Sequence, residues 1–261
     1  MTLGDSRFSR TFNNPKPILG MLHLSGDTPA ERLEIARREL DILRNGGVDA
    51  VVVENYFGDK TDVRNVLEWL EGKHADLVVG VNVLHDHHLA FELARQFRVD
   101  FIQMDSVAGH LAPEADAEFA AELAGLRAGV DSLLLGGVRF KYQPVNSGRT
   151  EREDLLLGME RCDAFVITGE ATGQETDVEK VKRFRSVVGG SFPLVIGAGL
   201  TASNVDDQLR DADGAIVGSY LKDTHVDTGL IVAEHVEKLM REVRRMRGSV
   251  LAPVLSPALG E

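Results

Sequence analysis

Eight short apolar runs, spaced roughly 20 to 30 residues apart, constrain the fold of this chain more than any other feature. They are Ile18–Leu22, Ala50–Val53, Val78–Asn82, Phe101–Met104, Ser132–Gly136, Ala164–Thr168, Leu194–Gly197 and Ala215–Gly218. Runs rich in β-branched residues read as strands covered on both faces. Several follow a small turn that carries aspartate: Gly47-Val48-Asp49, Val99-Asp100, Cys162-Asp163 and Ala212-Asp213-Gly214. Such recurrence predicts equivalent helix-to-strand turns.

The stretches between the runs are amphipathic. Thr28-Pro29-Ala30-Glu31 is a capping box with proline at the first helical position. Leu33, Ala36, Leu40 and Leu43 then share one face, and Asn45-Gly46-Gly47 ends the helix. Further helices are predicted over 62–72, 86–97, 113–128, 150–161, 177–188, 201–209 and 227–247. Strand and helix alternating without a break in composition predict one parallel (β/α)8 barrel, a TIM barrel, over 17–247. A doubly wound sheet is the alternative. Residues 1–16 form an N-terminal extension, and 248–261 read as a flexible C-terminal tail.

Composition narrows the function. The chain has 261 residues, 43% hydrophobic, with formal net charge −12. An acidic balance argues against nucleic acid or an anionic membrane as partner, although a local basic pocket can still hold an anion. No run is long enough to span a bilayer, and the polar start lacks a signal-peptide core. The single cysteine, Cys162, excludes an intrachain disulfide framework and reads as a buried strand thiol. A cytoplasmic protein is expected. Homo-oligomerisation is left open, because no face reads as an interface.

In such a barrel the active site lies at the C-terminal strand ends. Strand one ends at His23, strand two at Glu54 and Asn55 with Asp59 beyond, strand three at Asn82, and strand four at Gln103 and Asp105. Strand five is followed by Arg139 and Lys141, and strand six by Thr168-Gly169 and Thr172-Gly173. The last two strands end in Gly197-Ala198-Gly199, leading to Thr201, and Gly218-Ser219, followed by Lys222. Glycines let backbone amides approach a phosphate, which a helix N-terminus also favours. These two turns, together with Ser219 and Lys222, therefore read as a phosphate cup or as plain turn chemistry.

A carboxylate at an apolar barrel mouth has a raised pKa and can serve as general acid or base. Glu54 is the candidate, with Asp59 or His23. The bland reading is a salt bridge, or for Asp59 a helix cap. Lys141 and Asn82 are placed to stabilise developing negative charge, or Lys141 simply to neutralise the acids; a Schiff base on Lys141 would make the chemistry aldolase-like. No cofactor is predicted. His85 and Asp86 are the candidate ligands should a divalent metal bind, against a reading in which Asp86 caps a helix while His87 and His88 diverge.

Several segments resemble the BtpA family, named for a photosystem I biogenesis protein. They are Gly20-Met21-Leu22-His23-Leu24, Val53-Glu54-Asn55-Tyr56-Phe57-Gly58-Asp59 and Gly80-Val81-Asn82-Val83-Leu84, then Ile167-Thr168-Gly169 with Thr172-Gly173, Gly197-Ala198-Gly199-Leu200-Thr201-Ala202-Ser203-Asn204 and Asp213-Gly214-Ala215-Ile216-Val217-Gly218-Ser219. The resemblance runs from about Pro17 to Val243 and implies a barrel of ribulose-phosphate-binding type. This chain departs from the family's usual residues at His85-Asp86-His87, Gln103-Met104-Asp105 and Arg139-Phe140-Lys141-Tyr142. Phosphate loops kept beside altered strand ends imply the same anionic handle with a different substrate or chemistry. The expectation is an isomerase, lyase or hydrolase acting on a small phosphorylated sugar or nucleotide-like metabolite. A non-catalytic ligand sensor or assembly factor, and a metal-dependent hydrolase, are the alternatives.

Overall fold

The structure, a computed structural model, describes residues 6–73 and 76–251. Eight parallel strands close into a barrel in sequence order: β1 Ile18–Leu22, β2 Ala50–Glu54, β3 Val78–Asn82, β4 Phe101–Ala108, β5 Leu133–Val138, β6 Ala164–Ile167, β7 Leu194–Ile196 and β8 Gly214–Val217. The helices on the outside are α2 Pro29–Gly46, α3 Lys60–Leu70, α4 His87–Gln96, α5 Pro113–Arg127, α6 Glu151–Arg161, α7 Val178–Val188, α8 Val205–Gln208 and α9 Ala233–Leu251, after a first short helix, α1 Arg7–Thr11.

Two-residue alternation divides the apolar side chains between two cores. Val51 and Val53 of β2 face outward into the layer shared with Val63, Val66 and Leu67 of α3. Ala50 and Val52 belong to the barrel interior with Leu19, Met21, Phe101, Leu135, Val166 and Ile216. The same parity carries on to the polar ends: His23 follows Leu19 and Met21, and Glu54 follows Ala50 and Val52.

The described part of the N-terminal extension, from Ser6 onward, belongs to this interior. Ser6 caps α1, and Phe8 and Phe12, one turn apart, join the inner core. The Phe12 ring lies 5.7 Å from that of Phe101. The extension thus plugs the barrel's N-terminal end. Of the expected tail, α9 covers residues as far as Leu251, and 252–261 lie outside the described residues.

The recurring aspartates have a common role. Asp49, Asp100, Asp163 and Asp213 accept the backbone N–H of Ile18, Val79, Leu134 and Leu194 at 2.7–2.8 Å. Each also donates its own N–H to the carbonyl of that same residue. Each pairs with an arginine: Arg247, Arg98, Arg127 and Arg185 respectively. Arg247, read from the sequence as part of a solvated basic helix end, is 9% exposed and tied into the first of these latches.

Other differences have local causes. β4 runs on to Ala108 through a register shift between Met104 and Ala108. The expected 201–209 helix is one turn, α8, because the Asn204 side chain bridges the Thr201 N–H and the Gly199 carbonyl and holds that stretch as a loop. After β8 the chain makes a 3₁₀ turn, Ser219–Leu221, and α9 begins later than residue 227.

Candidate functional site

The strand ends surround a cavity of about 510 Å³ at the C-terminal mouth of the barrel. On one side it is lined by His23, Glu54, Gln103 and Asp105 from β1, β2 and β4. On the other it is lined by Thr172 and Gly173 after β6, Gly197 to Thr201 after β7, and Gly218 and Ser219 after β8. Lys141, after β5, lies between the two.

Glu54 is the chemical centre. The β2–β3 register sets it opposite Asn82, whose Nδ2 donates to Glu54 Oε1 at 2.7 Å. Burial pushes the Glu54 carboxyl up to about 7, with the charge of Asp105 adding to the rise and the Asn82 hydrogen bond opposing it. Burial also raises Asp105. His23 moves the other way: burial, then the Lys222 ammonium, push it down to about 3. Its Nε2 lies 3.7 Å from Glu54 Oε2. With the imidazole neutral, that contact is neither a hydrogen bond nor an ion pair. Tyr56 stacks on the His23 ring at 4.7 Å and donates its hydroxyl to Asp227 at 2.8 Å, which fixes the ring plane.

Lys141 donates through Nζ to Thr172 Oγ1 at 3.1 Å. Its backbone N–H donates to Thr168 Oγ1 at the same distance, so Thr168 supports the loop and does not line the cavity. Gly199 is sterically required, and Gly218 leaves little room for a side chain. A Cβ on Gly199, at φ +75°, would fall 2.3 Å from the backbone at Gln174 and Glu175; one on Gly218 would meet the His23 ring at 3.0 Å. Three non-glycine residues on the rim, His85, Tyr142 and His225, also hold positive φ. A conformation costing roughly 1–2 kcal/mol per residue is there concentrated around the cavity.

Several sequence candidates sit elsewhere. Asp59 is exposed and caps α3: its Oδ1 accepts from Thr61 and Asp62, and its own N–H donates to Asp62 Oδ2, a complete capping box that keeps its carboxylate out of the cavity. Asn55 accepts from the Leu84 N–H at 2.7 Å and ties two loops together. Gly169 packs against the Glu175 carbonyl outside the cavity lining. Lys222 is turned inward by the 3₁₀ turn, fully buried, with Nζ donating to the Asp227 carbonyl at 2.6 Å. It is therefore no part of the cavity wall, and the Thr201 N–H is engaged by Asn204. Asp86 caps α4 and pairs with Lys60, while His85 turns to the cavity, so these two do not converge as a ligand pair. Cys162 is buried, its thiol pushed up to about 12 by desolvation, which makes it inert.

A second cavity of about 310 Å³ adjoins the first through His85, Gln103, Asp105 and Gln143. Gln103 Oε1, Ser106 Oγ and His110 Nδ1, from residues in its wall, are buried without a hydrogen-bond partner among the described residues. The sequence reading missed this lobe, whose wall includes Ser106 on the stretch of β4 that runs past the expected strand end, together with residues from distant loops and α5.

The fold and site define a parallel eight-stranded α/β barrel with a cavity at its C-terminal face, largely apolar in its wall and carrying a few converging polar side chains. Comparison with known proteins gives the family. The profile of the BtpA family matches residues 14–245, and the chain belongs to that family. An uncharacterized protein of Thermococcus kodakarensis is 30% identical over 260 residues, covering 90% of this chain and 97% of the relative. The photosystem I biogenesis protein BtpA of Synechocystis is 28% identical over 240 residues, covering 82% and 83%. Among solved structures, the (S)-3-O-geranylgeranylglyceryl phosphate synthase of Thermoplasma acidophilum superposes with TM-score 0.60 at 15% identity, covering 94% of this chain and 99% of that one. The phosphoribosyl anthranilate isomerase of Thermus thermophilus does so with TM-score 0.58 at 11% identity, covering 88% and 99%. Likeness at these identities establishes the barrel. Among the described residues no helix is long and apolar enough to cross a membrane.

Proposed function

We propose that this chain is an enzyme that binds a small phosphorylated sugar or nucleotide-like metabolite and moves a proton beside its carbonyl group, as an isomerase or lyase. The observation that carries this reading is Glu54: a buried carboxyl pushed up to about 7 on the wall of a cavity of metabolite size. A proton-transfer group works best when its pKa lies near the working pH. Asn82 fixes one Glu54 oxygen and leaves Oε2 as the transferring atom. His23, neutral and held by Tyr56, can donate to an oxygen without introducing charge. Among the described residues Lys141 is the only lysine in the cavity wall, and its ammonium would stabilise the enediolate oxyanion that forms when a proton leaves carbon.

The phosphate end falls to Thr172, Gly173, Gly199 and Ser219, with Gly197, Thr201 and Gly218 shaping the wall. Lys222 does not serve there, so backbone amides and hydroxyls carry more of the recognition than the sequence suggested. Two barrels of the same fold are named for phosphorylated compounds, which agrees with this assignment, although a shared fold is weak support for a shared ligand.

The test is a thermal-shift screen of sugar phosphates and nucleotides, followed by NMR detection of substrate C–H exchange in D₂O. A stabilising ligand whose proton exchanges with wild type, and about 10²–10⁴-fold more slowly with Glu54→Gln at unchanged affinity, is the expected result. Full exchange by Glu54→Gln would refute the assignment. Binding without exchange or turnover would instead favour a ligand-sensing role.

A further inference from the structure

We propose that His87, His88 and Glu122 form a binding site for one divalent transition-metal ion of the zinc class, outside the main cavity. Neighbouring helical residues ordinarily diverge by about 100° around the axis. These two histidines do not: at the start of α4 their rings stack at 4.5 Å with planes 29° apart. Both Nε2 atoms reach the same oxygen of Glu122 on α5, at 2.9 Å from His87 and 2.6 Å from His88. All three donor atoms lie within 4.8 Å of one another.

Converging lone pairs from two imidazoles and a carboxylate match a His₂Glu donor set, with bonds of roughly 2.0–2.2 Å to each ligand. Small adjustments of partly exposed side chains, 30%, 59% and 36% accessible, would admit an ion among them. Nitrogen-rich donors select zinc, cobalt or nickel over magnesium or calcium, which favour oxygen. The His87 and Phe119 rings pack in a T-shaped pair at 5.9 Å, which helps to orient that ligand. The α4 dipole opposes a cation at this end, but the effect is small beside three coordinate bonds. Three protein ligands leave a coordination position for water or a ligand group. Because His87 also belongs to the wall of the second cavity, the ion would stand at that lobe's outer edge. The proposal is independent of the proton-transfer chemistry assigned to Glu54.

The test uses the full chain, stripped of metal, dialysed against Zn²⁺ and analysed for bound metal, then titrated against a chromophoric chelator. One zinc per chain is expected in wild type and in His225→Ala. His88→Ala and Glu122→Gln should bind it more weakly by more than the roughly 10–100-fold that follows loss of an outer-shell partner. His88 is more than half exposed, so its truncation should leave the fold intact, which circular dichroism checks. Wild type binding no more zinc than a His87→Ala/His88→Ala double variant would overturn the proposal. So would undiminished affinity in both His88→Ala and Glu122→Gln, or loss of the zinc in His225→Ala.

Discussion

Replacing Glu54 by glutamine should make the protein more stable at alkaline pH. The folded-state pKa of Glu54 rises from 4.5 to about 7. At about 1.4 kcal/mol per unit, that displacement is worth at most about 3 kcal/mol. Below pH 4.5 the carboxyl is protonated in both folded and unfolded chains, so its burial carries no ionic penalty. Between 4.5 and 7 the unfolded chain releases the proton while the folded one keeps it, so stability falls as pH rises. Above 7 the loss is complete. Glutamine stays neutral throughout, and its carbonyl oxygen can still accept from Asn82. The variant and wild type should therefore melt together near pH 4.5 and separate as pH rises. At about 2–4 °C per kcal/mol for a chain of this size, the variant should melt roughly 5–10 °C higher at pH 8. Thermal denaturation of both proteins across this range is the assay, and their difference cancels changes in overall charge. Equal melting at pH 8, or a difference that does not vary with pH, would refute the reasoning. A gain in stability alongside lost turnover is the trade expected of a group buried for chemistry.

Two further outcomes check the placement of other residues. Phe12→Ala should destabilise the barrel by about 3–5 kcal/mol in urea denaturation, because it removes a nearly fully buried ring from the inner core; a near-neutral effect would mean that the extension is not a plug. Asp59→Ala should lower stability by about 1 kcal/mol through loss of the α3 cap and leave turnover unchanged, whereas a large fall in kcat would return Asp59 to the chemistry.

The barrel was legible because buried parallel strands demand apolar runs that stand out at regular spacing. Glu54, Asn82 and Asp105 were legible for a related reason: each follows an apolar run where burial gives way to the mouth. What escaped the sequence depends on side-chain direction. Lys222 stands three residues after Ser219 and reads from the sequence as part of the candidate cup, yet the 3₁₀ turn sends its ammonium to the Asp227 carbonyl. Asp59 stands beside the catalytic candidates in sequence but serves the helix that follows. His87 and His88 were read as diverging, since Glu122, which draws them together, lies 34 residues after His88 on another helix whose axial register no local pattern reveals. The Phe8–Phe12 pair did leave a signal, two aromatics one turn apart behind a serine cap, and it shows that a short polar-looking extension can carry a hydrophobic face.

The four aspartate latches bear on how such a protein can change. They join β1 to β2, β3 to β4, β5 to β6 and β7 to β8, so the end of the barrel away from the cavity is punctuated into four two-strand units. The cavity shows no such rhythm: its polar strand ends differ from one unit to the next. Closure is thus written in a repeated device at one end, and chemistry in unrepeated residues at the other. Descendants of this chain can rewrite the mouth, one strand end at a time, while the hoop beneath it stays fastened.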